Sequence, residues 1–409
     1  MLLEFIIAIF LGILIGTLTG LTPGIHINLV SLILLSFSAF FLTLPLINAL
    51  TLTIFIVSMA ITHTFVDFIP SIFLGAPDED TVLSILPGHQ FLLKGRAYDA
   101  IVFTLYGSLT ALLIILIFTP IFIYILPLIY PYLQKIMWII LVLVSGFLIM
   151  SDKNKTWAFF IFLLAGFLGI ASLNLNIKEP LLPLLTGLFG ASNLIVSIRQ
   201  NTKIPSQKIS SLKKILLPKK SIARASLASF ISSPLMAFLP GLGASQASII
   251  GKQSLNIKDN KEFLFLSGAI NTIVMGLSFI ALYSIQKTRT GAAVAVSRLL
   301  PELTLNNLIF IILTIIISGF LSFIITIYIS RFASKHINKI KYSKLSFIIL
   351  IILLIIVIIF SDFTIQGKII SLLVFLTSTS LGVFTILSNT QRMHLMGCLL
   401  VPTILFYLL

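Results

Sequence analysis

The sequence is short of cysteine, of acid and of charge altogether. One cysteine, Cys398, in 409 residues excludes internal disulfides and any cysteine-built zinc or iron–sulfur cluster. Charged residues make up 10% of the chain, against about 25% in a soluble domain, so an ordinary water-soluble fold is excluded. The five histidines, His26, His63, His89, His336 and His394, are scattered and form a poor metal set. There is no His-Glu-x-x-His, no Gly-x-Ser-x-Gly elbow and no Walker loop. Gly241-Leu242-Gly243 is followed by Ala244, not by the aspartate of an intramembrane aspartyl protease. The sequence therefore reads as a non-enzyme with no cofactor.

What is abundant is apolar sequence. Hydrophobic residues are 58% of the chain, and the mean hydropathy is +1.16. Apolar runs recur along nearly the whole length and leave no room for a sizeable soluble domain. The expected fold is an all-α polytopic protein of the plasma membrane. Met1-Leu2-Leu3-Glu4-Phe5 lacks the basic start of a signal peptide and reads as a retained first membrane segment.

The net charge is +15, from 27 Lys and Arg against 12 Asp and Glu. These cations sit mainly in loops, as the positive-inside rule and anionic headgroups favour. Nucleic acid is not an expected partner; the lipid bilayer is. One basic loop runs from Arg199 to Arg224, with Lys203, Lys208, Lys213, Lys214, Lys219 and Lys220. A second runs from Arg331 to Lys344. Both are expected in the cytoplasm. With about 20 apolar residues per crossing, the first half crosses at 49–68, 97–118, 137–150, 156–174 and 181–198. The second half crosses at 263–285, 305–330, 345–360, 369–387 and 395–409. Interrupted segments, at 5–45, 71–93, 225–256 and 287–302, read as hairpins or broken helices. Five crossings per half put the halves in opposite orientation, the arithmetic of an inverted repeat. The expected organisation is a first repeat at 1–198, a basic cytoplasmic linker at 199–224 and a second repeat at 225–409.

Two of the interruptions are alike. One reads Thr19-Gly20-Leu21-Thr22-Pro23-Gly24-Ile25-His26-Ile27-Asn28, the other Leu239-Pro240-Gly241-Leu242-Gly243-Ala244-Ser245-Gln246. Proline removes a backbone donor and glycine weakens a helix. In lipid the freed backbone groups need protein, ligand or water. A helix starting after each Pro-Gly presents N–H groups and a positive dipole end to the membrane interior, suited to a carboxylate or phosphate. Thr22, His26, Asn28, Ser245 and Gln246 are candidate side-chain contacts. The plainer reading of each break is a packing kink lined by small residues.

The first half resembles the large permease subunit of the tripartite tricarboxylate transporters, the TctA family. The resemblance rests on Gly12…Gly16…Gly20-Leu21-Thr22-Pro23-Gly24, Leu44-Pro45, Gly75-Ala76-Pro77, and Leu86-Pro87-Gly88 running to Lys94-Gly95-Arg96-Ala97. Leu239-Pro240-Gly241-Leu242-Gly243 is similar to that family's second Pro-Gly loop. The likeness spans about residues 10–300. It implies a carboxylate permease that works with a small membrane subunit and an extracytoplasmic binding protein. Asp78-Glu79-Asp80 stands where family hairpins carry small and hydroxyl residues, which leaves the substrate open.

A buried carboxylate in a membrane usually faces a cavity or a partner. Asp67 lies four residues after His63, on one helical face, and the pair suits a proton relay or a cation site. Asp78 and Asp80 are further candidates for sodium or proton coupling; a solvated hairpin mouth is the plainer reading. In the second half Arg289 could grip an anion, with Asn271 as a neutral contact. The expected function is a secondary transporter of a small organic anion, coupled to Na+ or H+, with a homodimer among the expected assemblies. The alternatives are a lipid-phosphate translocase and, after it, a membrane enzyme on lipid-linked substrates.

Overall fold

The computed structural model describes residues 2–22, 27–44, 47–75, 81, 85–200, 205–236, 243–287, 290–337 and 342–409. Among them there is no strand. The first half contains α1 (Leu2–Leu21), α2 (Ile27–Ser36), α3 (Ser38–Phe41), α4 (Ala49–Val66), α5 (Phe68–Phe73), α6 (Ile85–Leu93) and α7 (Ala97–Tyr124). It continues with α8 (Leu126–Lys135), α9 (Met137–Met150), α10 (Lys155–Asn174), α11 (Leu181–Leu185) and α12 (Ser192–Gln200), a π-helical stretch at Thr186–Ala191 joining the last two. The second half contains α13 (Lys219–Met236), α14 (Ala244–Ser254), α15 (Asn260–Ile285), α16 (Gly291–Leu299), α17 (Leu305–His336), α18 (Tyr342–Phe360) and α19 (Ile365–Leu387). A 3-10 turn, Arg392–Met396, leads into α20 (Gly397–Leu408).

Eight of these helices are long and apolar enough to cross a membrane, and α8 with α9 would make a ninth, bent by 78°. The all-α polytopic fold expected from composition is present. The segment expected to be interrupted at 5–45 holds a first span, Leu3–Leu21, and then α2, and its Pro23-Gly24 break lies outside the described residues. One detail differs from the sequence reading. The segments 181–198 and 395–409 form shorter apolar helices, Leu181–Val196 and Arg392–Leu408.

Local sequence sets the starts. Asn48 caps α4 by accepting from Thr51 N, and Asp259 caps α15 by accepting from Lys261 N. Thr290, Thr304 and Thr364 cap α16, α17 and α19 in the same way. Each cap satisfies an N–H that the helix cannot pair itself. At about 1.5 Å per residue, the 32 residues of α17 exceed the apolar thickness of a bilayer. Its last two turns accordingly carry Arg331, Lys335 and His336.

The core is made of α4, α7 and α15, with α17 packed on α4 and α7. At the α7–α15 crossing the backbones touch: a Cβ on Gly107 would strike the Phe265 carbonyl oxygen, and one on Gly268 the Thr104 carbonyl oxygen. Small residues let membrane helices approach this closely. Along α1, Gly12, Gly16 and Gly20 face Ser58, Thr62 and Val66 of α4, so the two helices run parallel. The glycine series that carries part of the family resemblance is therefore a packing face.

Packing partners recur between the halves. α1 packs on α4, and α13 on α15. α7 packs on α15, and α17 on α4. α10 packs on α20, and α19 on α11, the π-helix and α12. α9 meets α20 as α18 meets α12. α7 and α17 run antiparallel: Tyr98 meets Arg331, Tyr106 stacks on Phe323, and Leu112 covers Gly319.

Candidate functional site

The site is built where α4 stops. Pro70 has no N–H, so the Val66 carbonyl loses its helical donor and the helix turns at Asp67 before α5 begins. Asp67 is buried. Its Oδ2 accepts from Asn271 Nδ2 of α15 at 2.8 Å, and the same amide reaches the Thr64 carbonyl at 3.4 Å. Thr64 Oγ1 lies 3.2 Å from Thr272 Oγ1. Ser71 Oγ donates to the Asp67 carbonyl at 2.8 Å and meets Thr81 Oγ1 at 2.6 Å. Polar groups of both halves thus converge on one point inside apolar helices, where an unpaired group is costly.

Two of the expected residues meet here. Asp67 was expected as a coupling residue and Asn271 as a substrate contact; the fold bonds them to each other across 204 positions. His63 turns to the other side, with Nδ1 3.1 Å from Thr19 Oγ1 on α1. His63 and Asp67 share a helical turn through the Asp67 N–H and the His63 carbonyl at 3.0 Å.

The second break supplies a helix start. Gly243 caps α14 with extended backbone and brings no side-chain acceptor. Gln246 turns back so that its Oε1 accepts from Gly243 N at 2.7 Å. This leaves its amide nitrogen, buried, with no acceptor among the described residues. Ser245 and Gln246 are both fully buried. α14 turns through 255–259 into α15, and Gly251 lies against Leu266. Five residues further from that turn on each helix bring Gln246 to about the level of Asn271, at about 1.5 Å per residue.

Thr22 ends α1 and donates back to the Leu18 carbonyl at 2.8 Å. Pro23, Gly24, His26, Asp78, Asp80, Pro240, Gly241 and Arg289 lie outside the described residues. Asn28 lies in the second residue of α2, its side chain not described. α16 of the second half packs on α2. Among the described residues no three His, Cys, Asp or Glu side chains converge as metal ligands would.

Two groups escaped sequence reasoning. Arg392 lies against the π-helical stretch, where its Nη2 donates to the Phe189 carbonyl at 2.5 Å, to the Leu188 carbonyl at 3.1 Å and to Ser192 Oγ at 3.2 Å. Its Nε and Nη1 are buried without an acceptor among the described residues. A lone arginine opening an apolar C-terminal segment was the signal. Asp152 is the other. Its Oδ2 accepts from Gln391 N at 3.0 Å and lies 2.9 Å from His394 Nε2, and its Oδ1 accepts from Asn154 N at 3.0 Å. Burial alone would raise this carboxyl; the two backbone N–H groups and His394 outweigh it and hold it below the usual carboxylate range.

No solved structure matches the chain. It is 33% identical, over 408 residues and 98% of both chains, to an uncharacterized protein of Methanocaldococcus jannaschii. The model of the tripartite tricarboxylate transporter TctA family matches residues 6–397. Nearly the whole chain, from the glycine face of α1 to the turn before α20, thus fits one pattern of apolar helices, and the protein belongs to the tripartite tricarboxylate transporter TctA family.

Proposed function

We propose that this protein is the permease subunit of a secondary transport system for a small organic anion bearing carboxylates. The observation that carries the reading is the buried start of α14. There the Gln246 amide faces no acceptor among the described residues, at a helix end whose dipole favours an anion. Asp67 and Asn271, at about the same level, join this start to the first half. Asp67 is the coupling group for Na+ or H+, since a membrane carboxylate that exchanges its partner for a cation changes charge at the site.

The halves act as inverted repeats, 1–198 and 225–409, joined by the basic linker 199–224 on the cytoplasmic side. The recurring partners and the antiparallel α7 and α17 support that arrangement, and alternating access follows from rocking one set against the other. Family membership supports a small membrane subunit and an extracytoplasmic binding protein as partners.

Uptake of labelled citrate and succinate into proteoliposomes tests the reading, with sodium and proton gradients imposed separately. Gln246→Ala is expected to weaken apparent affinity by about tenfold or more, which is about 1.4 kcal/mol. Asp67→Asn is expected to remove the dependence on the driving cation. Uptake that both variants leave untouched would place the site elsewhere.

A further inference from the structure

A second feature suited to anions lies outside that site. The turn between α6 and α7 and the turn between α14 and α15 face each other across an open cleft of about 360 Å³. Phe91 is among the residues that line it. Lys94 and Arg96 come from the first half, Lys258 and Lys261 from the second. Asn260 ties the two sides by donating to Gln90 Oε1 at 2.7 Å.

The charge of the cleft is unbalanced. Arg96 is engaged by Asp99, with Nε at 2.7 Å from Oδ2. Asp259 is the one carboxylate in the lining, and its Oδ1 is occupied as the α15 cap, accepting from Lys261 N at 3.0 Å. Lys94, Lys258 and Lys261 form no ion pair among the described residues. Three ammonium groups and the single Asp259 carboxylate leave a net charge of about +2 around one concave space, which favours an anion there. The positive-inside rule accounts for cations on this face; it does not account for their gathering, from two halves, around a cavity.

The linker grips the same turn. Lys208 N donates to the Gly95 carbonyl at 2.7 Å, and Gln207 bonds both the Leu92 carbonyl and Ala97 N. Gly95 holds a left-handed conformation, φ +71°, and a side chain there would meet the Ser206 carbonyl at 2.8 Å. The Lys94–Arg96 wall is therefore fixed in place.

We propose that this cleft binds a phosphate-bearing anion that bridges the two halves, and that its occupancy holds them together on the linker side. The phosphate comes from a soluble solute or from an anionic lipid headgroup. The site is separate from the α14 start and does not depend on what the protein transports.

The test uses the full chain in nanodiscs of zwitterionic lipid, with inorganic pyrophosphate as the probe and calorimetric titration as the readout. The wild type is expected to bind saturably and more weakly at higher salt. Lys258→Gln combined with Lys261→Gln is expected to weaken binding by about tenfold, with an unchanged melting profile when no probe is present. Lys94→Gln gives a second variant from the opposite wall. Gln246→Ala is expected to bind as the wild type does. Phosphatidylglycerol in the disc that displaces pyrophosphate identifies the headgroup as occupant; pyrophosphate binding that phosphatidylglycerol leaves intact identifies a soluble anion. Absence of binding to both, binding indifferent to the lysine changes, or binding lost in Gln246→Ala would each overturn the proposal.

Discussion

The central helices α4, α7 and α15 and the outer arms are made from similar apolar sequence and live in different surroundings. The span Asn260–Ile285 is buried over its whole hydropathy window and Ala49–Leu74 over 83% of it, while Ser343–Phe360 is buried over 28%. The two most buried spans have the lowest mean hydropathy of the eight, and Ser343–Phe360 the highest. In water the order would be reversed. In a bilayer the lipid-facing helices must be the most apolar, and the protein interior is where serine, threonine, asparagine and a carboxylate find partners. Backbones touch in both regions, at Gly107 and Gly268 in the centre and at Gly169 and Gly382 in the arms; the centre differs in burying its polar groups along the spans, whereas the arms gather Arg392, His394 and Asp152 near helix ends.

The comparison breaks most visibly at glycines. Gly268→Leu would drive a side chain into the Thr104 carbonyl and is expected to cost about 3 kcal/mol or more, read as lost folded yield and a lower melting temperature in detergent. Gly146→Leu, on α9 with nothing within 4 Å, is expected to stay within about 0.5 kcal/mol of the wild type. Equal effects would mean that the open face of α9 is packed as closely as the α7–α15 crossing.

Removing the Asn271 amide, as Asn271→Ala, takes away the bond to Asp67. The expected cost is about 1–3 kcal/mol, and uptake should fall further than stability does. Asn271→Gln returning both to wild-type values would show that this position tolerates a shifted amide and that the pairing is not specific.

The arms have their own polar anchor in Asp152. Asp152→Asn keeps the shape and weakens the acceptors for Gln391 N and His394, at an expected cost of about 1–2 kcal/mol near neutral pH. The sign with pH follows from the depressed folded-state pKa. Ionised Asp152 stabilises the fold above the ordinary carboxylate pKa, and that contribution is lost as pH falls through the lower folded value. The melting-temperature gap between wild type and Asp152→Asn should therefore be full at pH 7 and shrink below about pH 4. A gap that is constant with pH would assign the anchor to packing alone.

The smallest effect belongs to Ser322→Ala, which removes the 2.9 Å bond to Thr62 Oγ1 between α17 and α4. Interhelical bonds of this kind are worth about 0.6 kcal/mol in membranes. Double-mutant coupling between Ser322 and Thr62 measures it directly, and a value near zero would leave side-chain packing as the main tie between these helices.

Much of the site was legible in part. Gly243, Ser245 and Gln246 stood out because Pro-Gly interrupts an apolar run, and Asp67 because a carboxylate there needs a partner. That the partner is Asn271 was not legible, since no local pattern links residues 204 positions apart. The same holds for Arg392 on the Phe189 carbonyl and Asp152 beside His394. The Gly12, Gly16 and Gly20 series was legible as a motif, but its use as a face for α4 was settled by packing.

The sequence by itself determined that this chain lives in a membrane as bundled helices. Length and hydropathy of its runs leave no other way to satisfy the backbone in lipid. It also determined where the basic loops lie and where helices must break, because proline and glycine act on their own backbone. Tertiary structure alone decided which apolar helices face lipid and which face protein, and which buried polar group answers which. Those choices depend on contacts between distant segments, and hydropathy, a local quantity, carries no record of them.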